Sequence, residues 1–223
     1  MIRRPPRSTQ GVSSAASDVY KRQVLLCKQF LINQRQCNNN MNFLIMGPPG
    51  AGKGTQAKIL AEKYNLMHLS TGDMLRHEID NQSDIGLKAK SYMDQGFLVP
   101  DDVLLSIMEN TLAALEGIGI VLDGFPRTIP QAEGLEAIFN KLNLRIHYVI
   151  NVHVDKDILV KRLINRAKNS GRTDDTEDVI INRQKVYSEL TAPLIEFYQD
   201  QLLTIDGKGT IEEVTQRILE KIQ

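Results

Sequence analysis

From Asn42 onward the chain alternates short apolar runs with longer stretches in which apolar residues recur every three or four positions. The runs are Phe43-Leu44-Ile45-Met46, Ile118 to Leu122, Ile146 to Val154 and Leu202 to Ile205. Each reads as a strand buried on both faces, which is how parallel strands look in sequence. The helical period is clearest at the end, where Ile211, Val214, Ile218 and Ile222 share one stripe and Glu212, Glu213, Arg217 and Glu220 fall off it. Val103, Leu104, Ile107, Met108, Thr111, Leu112 and Leu115 repeat that spacing, as a helix packing on a core would. Strands alternating with helices predict a parallel sheet covered by helices on both faces. No internal repeat and no low-complexity tract follows residue 40.

Charge divides the chain where this pattern begins. The total is balanced at 27 basic and 27 acidic residues. Residues 1–40 hold seven basic residues against one acidic residue, which leaves 20 basic and 26 acidic in 41–223. Both cysteines, Cys27 and Cys37, also lie in the first piece. The break predicts a boundary near residue 40, with one domain in the remaining chain and no room for a second.

The N-terminal string MIRRPPRSTQ, followed by SSAASDVYKRQ, resembles the translation of sequencing-adapter DNA. Met41 is then the expected biological start, and 1–40 a non-native or disordered leader. An Arg-rich, Ser-rich, acid-poor segment also fits a transit peptide, although Pro5-Pro6 opposes the amphipathic helix such a peptide needs. A genuine tail is the third reading.

Composition narrows the function of 41–223. No apolar run approaches the roughly 18 residues of a transmembrane helix. A body without cysteine excludes a disulfide scaffold and a thiolate zinc site, and suits a reducing compartment, read here as the cytoplasm. A mildly acidic balance argues against nucleic acid as a partner. His68, His77, His147 and His153 show no ligand spacing.

The chemistry begins at Gly47-Pro48-Pro49-Gly50-Ala51-Gly52-Lys53-Gly54-Thr55, between a predicted strand and a predicted helix. Glycines in that place let successive N–H groups turn inward around phosphate oxygens, while the helix directs its positive end at them. Lys53 adds a mobile full charge. Gly54 stands where a magnesium-ligating Ser or Thr is usual and Thr55 comes one place later, so direct hydroxyl ligation of a metal is not expected. Downstream, Ser70 and Asp73 are spaced as a capping box at the start of a helix. Asp123 ends the strand predicted at 118–122, at the sheet edge where such folds bind ligands, and suits a magnesium ion held through water.

At these residues the chain resembles the nucleoside monophosphate kinases, and their adenylate kinase branch most closely. GPPGAGKGTQ, LSTGDMLR, GFLVPDD, LDGFPRTIPQ and GRTDDTEDVIINR occur in the family's order across 41–223. The resemblance implies a P-loop NTPase fold, α/β with a five-stranded parallel sheet. It also implies a helical insert binding the monophosphate near 70–99, a short lid near 162–174 and the reaction MgATP + AMP ⇌ 2 ADP. No structural zinc is expected, and the enzyme is expected to be a monomer.

The same resemblance assigns roles. Lys53, Arg127, Arg162, Arg166, Arg172 and Arg183 are the expected catalytic cations. Gly50, Ala51, Gly52, Lys53, Gly54, Thr55, Arg162 and Gly209 are expected to bind ATP. Thr71, Arg76, Val99, Gly124, Arg127, Gln131, Arg172 and Arg183 are expected to bind AMP. Physical spacing supports the cations: Arg162 and Arg166 share a helix face, and Arg172 and Arg183, eleven apart, would align on one helix. Two nucleotides bring about six negative charges together, so converging cations are required. Asp174 and Asp175 would cap the helix that follows, with Glu177 completing a box, or orient the lid arginines. Thr71 and Gln131 point to AMP, since the UMP/CMP kinases typically carry alanine and asparagine there. A UMP/CMP kinase and a catalytically silent nucleotide-binding module are the alternatives.

Overall fold

The computed structural model describes residues 41–115, 117–169 and 176–222. Strands β1 (Asn42–Met46), β2 (Met67–Ser70), β3 (Ile120–Asp123), β4 (Tyr148–His153) and β5 (Leu202–Asp206) form an all-parallel sheet in the order β2-β3-β1-β4-β5. Every residue of β1 is buried, as its unbroken apolar run requires. Alternation then sends its side chains into two separate cores. Leu44 and Met46 join Leu122, Val149, Met108 and Leu135 on one face, whereas Phe43 and Ile45 join Val121, Ile150, Leu60 and Ile218 on the other. Each such buried side chain contributes roughly 1.5–3 kcal/mol, so the central strand is held from both sides.

Helices α1 (Lys53–Tyr64), α6 (Lys156–Asn169) and α9 (Ile211–Lys221) cover the face of Phe43 and Ile45. The face of Leu44 and Met46 is covered by α4 (Asp101–Ala114), α5 (Ile129–Lys141) and the short α8 (Leu194–Phe197). A helical pair, α2 (Thr71–Asp80) and α3 (Asp84–Met93), follows β2 and sends Leu75, Ala89 and Met93 into that same core. Helix α7 (Glu177–Val186) runs into a π-helical turn, Tyr187–Thr191.

Three local expectations change. Ile211 is 51% exposed, while Val214, Ile218 and Ile222 are buried. It is the first residue of α9, and its carbonyl instead accepts from Gln56 Nε2 at 3.1 Å. Ser70 caps α2 by accepting from Asp73 N–H at 3.3 Å, but the Asp73 carboxylate turns to Arg76 Nη2 at 2.5 Å, as an i,i+3 ion pair. Helix α7 is N-capped at Thr176 and starts at Glu177, so no single helix joins Arg172 to Arg183. Arg172, Asp174 and Asp175 lie outside the described residues.

The strand register fixes what converges at the C-terminal edge. Ile45 pairs with Asp123, Ser70 with Asp123, Met46 with Asn151, and His153 with Asp206. The sequence order reverses at β1, which has β3 on one side and β4 on the other, and the crevice opened there is where parallel sheets take ligands.

Candidate active site

The loop leaving β1 enters this crevice at Gly47. Its φ is +137°, and a Cβ there would collide with the Val152 carbonyl, so only glycine lets the loop pass this close to β4. Pro48 O accepts from Ala51 N at 3.1 Å, which closes a four-residue turn over Pro49 and Gly50. Gly52 then caps α1 in a left-handed conformation, φ +93°. The N–H groups of Gly50, Gly52 and Gly54 have no backbone acceptor among the described residues, and they lie at the positive end of α1. This is the arrangement of an anion-binding nest.

Above the loop is a cleft of about 570 Å³. One wall is the loop itself, with Gly50, Gly52, Lys53, Gly54 and Thr55. The other is built from α2, the 96–99 segment and α7, and includes Thr71, Arg76, Val99 and Arg183. Asp123, Gly124 and Arg127 line it from the end of β3, and Arg162 and Arg166 from α6. Five of the six expected arginines therefore meet in one space.

Lys53 Nζ donates to Pro48 O at 3.0 Å. Burial lowers the pKa of its ammonium to about 8; Asp123 opposes the fall, and Arg127 and Arg166 add to it. Burial also pulls Arg127 down, again countered by Asp123, with Arg183 and Arg76 pushing further down. A guanidinium stays charged regardless, so Arg127 is a fixed cation. Asp123 is the reverse case. Burial works to raise its pKa, but contact with His68 and the charges of Lys53 and Arg127 outweigh burial and hold it below the ordinary carboxylate range. His68 Nε2 lies 3.6 Å from Asp123 Oδ2, an electrostatic contact longer than a hydrogen bond.

A smaller recess of about 330 Å³ adjoins the loop behind Arg162, lined by Ala51, Gln56, Gly207, Gly209, Thr210 and Ile211. Arg162 joins the two spaces by donating to Gly207 O at 3.0 Å and to Ala51 O at 3.4 Å.

A family model described as Adenylate kinase matches residues 45–203. The chain belongs to the adenylate kinase family. A protein of Synechococcus sp. (strain CC9902) named Adenylate kinase is 47% identical over 177 residues, 78% of this chain and 94% of the relative. One of Leptospira biflexa serovar Patoc (strain Patoc 1 / Ames), with the same name, is 47% identical over 182 residues, 80% of this chain and 98% of the relative. A third, from Rhodococcus erythropolis (strain PR4 / NBRC 100887), is 44% identical over 180 residues, 80% and 97% of the two chains.

Within this adenylate kinase fold, two expected AMP contacts are already engaged with the protein. Thr71 is buried and donates its hydroxyl to Gly124 O at 2.9 Å, the carbonyl that also accepts from Arg127 Nε at 2.7 Å. Gln131 is fully buried and does not line the cleft. Its Oε1 accepts from Arg127 N–H at 2.8 Å and its Nε2 donates to Asp101 Oδ1 at 2.6 Å. One N–H and one lone pair of the amide remain. Asp101 also accepts from Thr128 Oγ1 at 3.1 Å, so it organises this end of the cleft; it lies in the GFLVPDD motif, which gave it no role of its own. A carboxylate at the first position of α4, as the helix dipole favours, was the available signal.

Proposed function

We propose that this chain transfers the terminal phosphoryl group of ATP to AMP, reversibly, giving two ADP. The observation that carries the reading is the two-walled cleft, with a phosphate nest on one side, arginines on the other and Lys53 between them. Phosphoryl transfer asks a protein for alignment and charge more than for covalent chemistry. In this reading the N–H groups of Gly50, Gly52 and Gly54 hold the donor phosphates, with Ala51 and Thr55 shaping the loop around them, and Lys53 leaves Pro48 to follow the group in transit. Arg162 and Arg166 neutralise the donor side. Arg76, Arg127 and Arg183 hold the acceptor phosphate, joined by Arg172. The recess at Gly209 takes the donor base, Val99 and Thr71 border the acceptor base, and Gln131 acts on that end through Arg127 and Asp101.

The site fits a magnesium ion carried in with the nucleotide. Asp123 is held ionised, and a Cβ on Gly54 would lie 3.1 Å from its Oδ2, so glycine keeps that space open. Among the described residues no three His, Cys, Asp or Glu side chains form a metal-binding group, so phosphate and water supply most ligands. Bound there, the ion would neutralise phosphate charge as it develops.

The segment 70–99 is proposed as the monophosphate-binding insert and 162–174 as a short lid whose closure excludes water. We read the enzyme as a monomer and place it in the cytoplasm. Among the described residues no helix is long and apolar enough to cross a membrane. The test is ADP formation by the full chain and by 41–223 in parallel, with ATP and each of AMP, UMP, CMP and GMP. AMP as the fastest acceptor, with equal rates for the two chains, is expected. Faster UMP or CMP turnover would overturn the base assignment, and a loss of activity in 41–223 would overturn Met41 as the start.

A further inference from the structure

Three consecutive residues of α7 reach Gln95, the cleft and the loop that leaves β1. Asn182 Nδ2 donates to Gln95 O at 2.6 Å, Arg183 lines the cleft, and Gln184 Nε2 donates to Pro49 O at 3.0 Å. Successive helical side chains are turned by about 100°, so a helix standing in a seam reaches both walls at once. Its position is tightly set: a Cβ on Gly96 would lie 3.0 Å from Val179 O.

The acceptor of Gln184 sits at a sensitive point. Pro48 to Ala51 form a β-turn closed by the bond from Ala51 N to Pro48 O, with Pro49 and Gly50 at its centre and Gly50 at φ +86°. Proline followed by glycine with positive φ defines a type II turn. Type I differs from it by reversal of the central peptide, here Pro49–Gly50, and glycine tolerates both states. In a trans peptide the C=O and N–H point in opposite directions. Whatever fixes the Pro49 carbonyl therefore also fixes the direction of the Gly50 N–H, one of the nest donors.

We infer that Gln184 is a positioning residue for the phosphate loop. Its amide holds the Pro49–Gly50 peptide in the type II orientation, so that Gly50 N–H is presented to the donor phosphates. Gln184 does not line the cleft and acts through the loop alone. The inference rests on the proposed function for the identity of the ligand, ATP, and not for the direction of the peptide.

The test uses the full chain and the variant Gln184→Met, which keeps the length of the side chain and removes the donor. Expected are ATP binding weakened about fivefold to tenfold, the scale of one lost hydrogen bond, with a matching rise in KM for ATP. KM for AMP and the thermal midpoint stay unchanged, and the Gly50 amide resonance shifts in the absence of nucleotide. Unchanged ATP affinity with an unmoved Gly50 resonance would overturn the inference. So would an equal loss for both nucleotides with a lowered midpoint, which marks a merely structural role. If the wild-type chain binds ATP but makes no ADP, the functional reading fails, while the ATP affinities and the Gly50 resonance still decide the role of Gln184.

Discussion

Lys53 Nζ rests on the carbonyl of Pro48, 3.0 Å away, within the loop that the lysine serves. One N–H of the ammonium is thus engaged before any phosphate arrives, and in the proposed reaction it exchanges a neutral acceptor for a charged one. Both bonds are charge-assisted, but only the phosphate adds attraction between opposite full charges, so the exchange favours the bound state. Lys53→Met is expected to lower kcat by at least about 100-fold, the scale of losing one group that stabilises transition-state charge. The thermal midpoint at pH 7 is expected to hold or rise, because the variant removes a charge that burial disfavours. Turnover within threefold of wild type in a coupled ADP assay would refute this role for Lys53.

The lowered pKa of Lys53 sets a pH limit. The protonated form binds phosphate, and kcat/KM reports groups of the free enzyme. kcat/KM for ATP is therefore expected to fall as pH rises through about 8, with kcat falling at higher pH because bound phosphate holds the proton on. Stability moves in the opposite direction. The folded pKa lies below the unfolded value of 10.5, so the unfolded chain binds more protons between the two, and this lysine's contribution to stability rises with pH across that window. A pH series of kcat/KM, compared with Lys53→Met melting at the same pH values, checks both signs.

Most of the fold was legible because the apolar runs Phe43–Met46 in β1 and Ile120–Leu122 in β3 are unbroken and that of β4 is interrupted only at Asn151, a pattern that a doubly covered strand requires. The second strand was less so. Met67-His68-Leu69-Ser70 has one buried residue and lies at the sheet edge, where two-sided burial no longer constrains composition. The phosphate loop was legible to the residue, since its glycines answer local backbone demands. Contacts between distant parts of the chain were not. Gln184 reaches Pro49 across 135 residues and Gln131 reaches Asp101 across 30, and neither amide carries a local pattern that names its partner.

In the proposed reaction Gln131 joins the acceptor end of the cleft to this network, so shortening it should separate the two substrates. Gln131→Asn cannot span both Arg127 N–H and Asp101, which frees a half-buried carboxylate oxygen and the backbone that aims Arg127. KM for AMP is expected to rise about tenfold, the equivalent of one to two lost hydrogen bonds, while KM for ATP changes less than twofold. Equal changes in both would show that Gln131 supports the fold as a whole.

Gly47 tests the route of the loop. Gly47→Ala must either leave φ +137° or push Cβ into the Val152 carbonyl. Strain and overpacking together cost about 3 kcal/mol, so the melting temperature is expected to fall by about 6–12 °C. A shift below about 2 °C would mean that the loop passes β4 differently.

The central claim is direct transfer between two nucleotides held in one cleft. A single-turnover experiment with ATP labelled at its terminal phosphate, excess enzyme and AMP tests it most directly. The label is expected in the ADP formed from AMP, one label per ATP consumed, with none on the protein. Label released as inorganic phosphate at the same rate, or trapped on the protein before it reaches AMP, would contradict it.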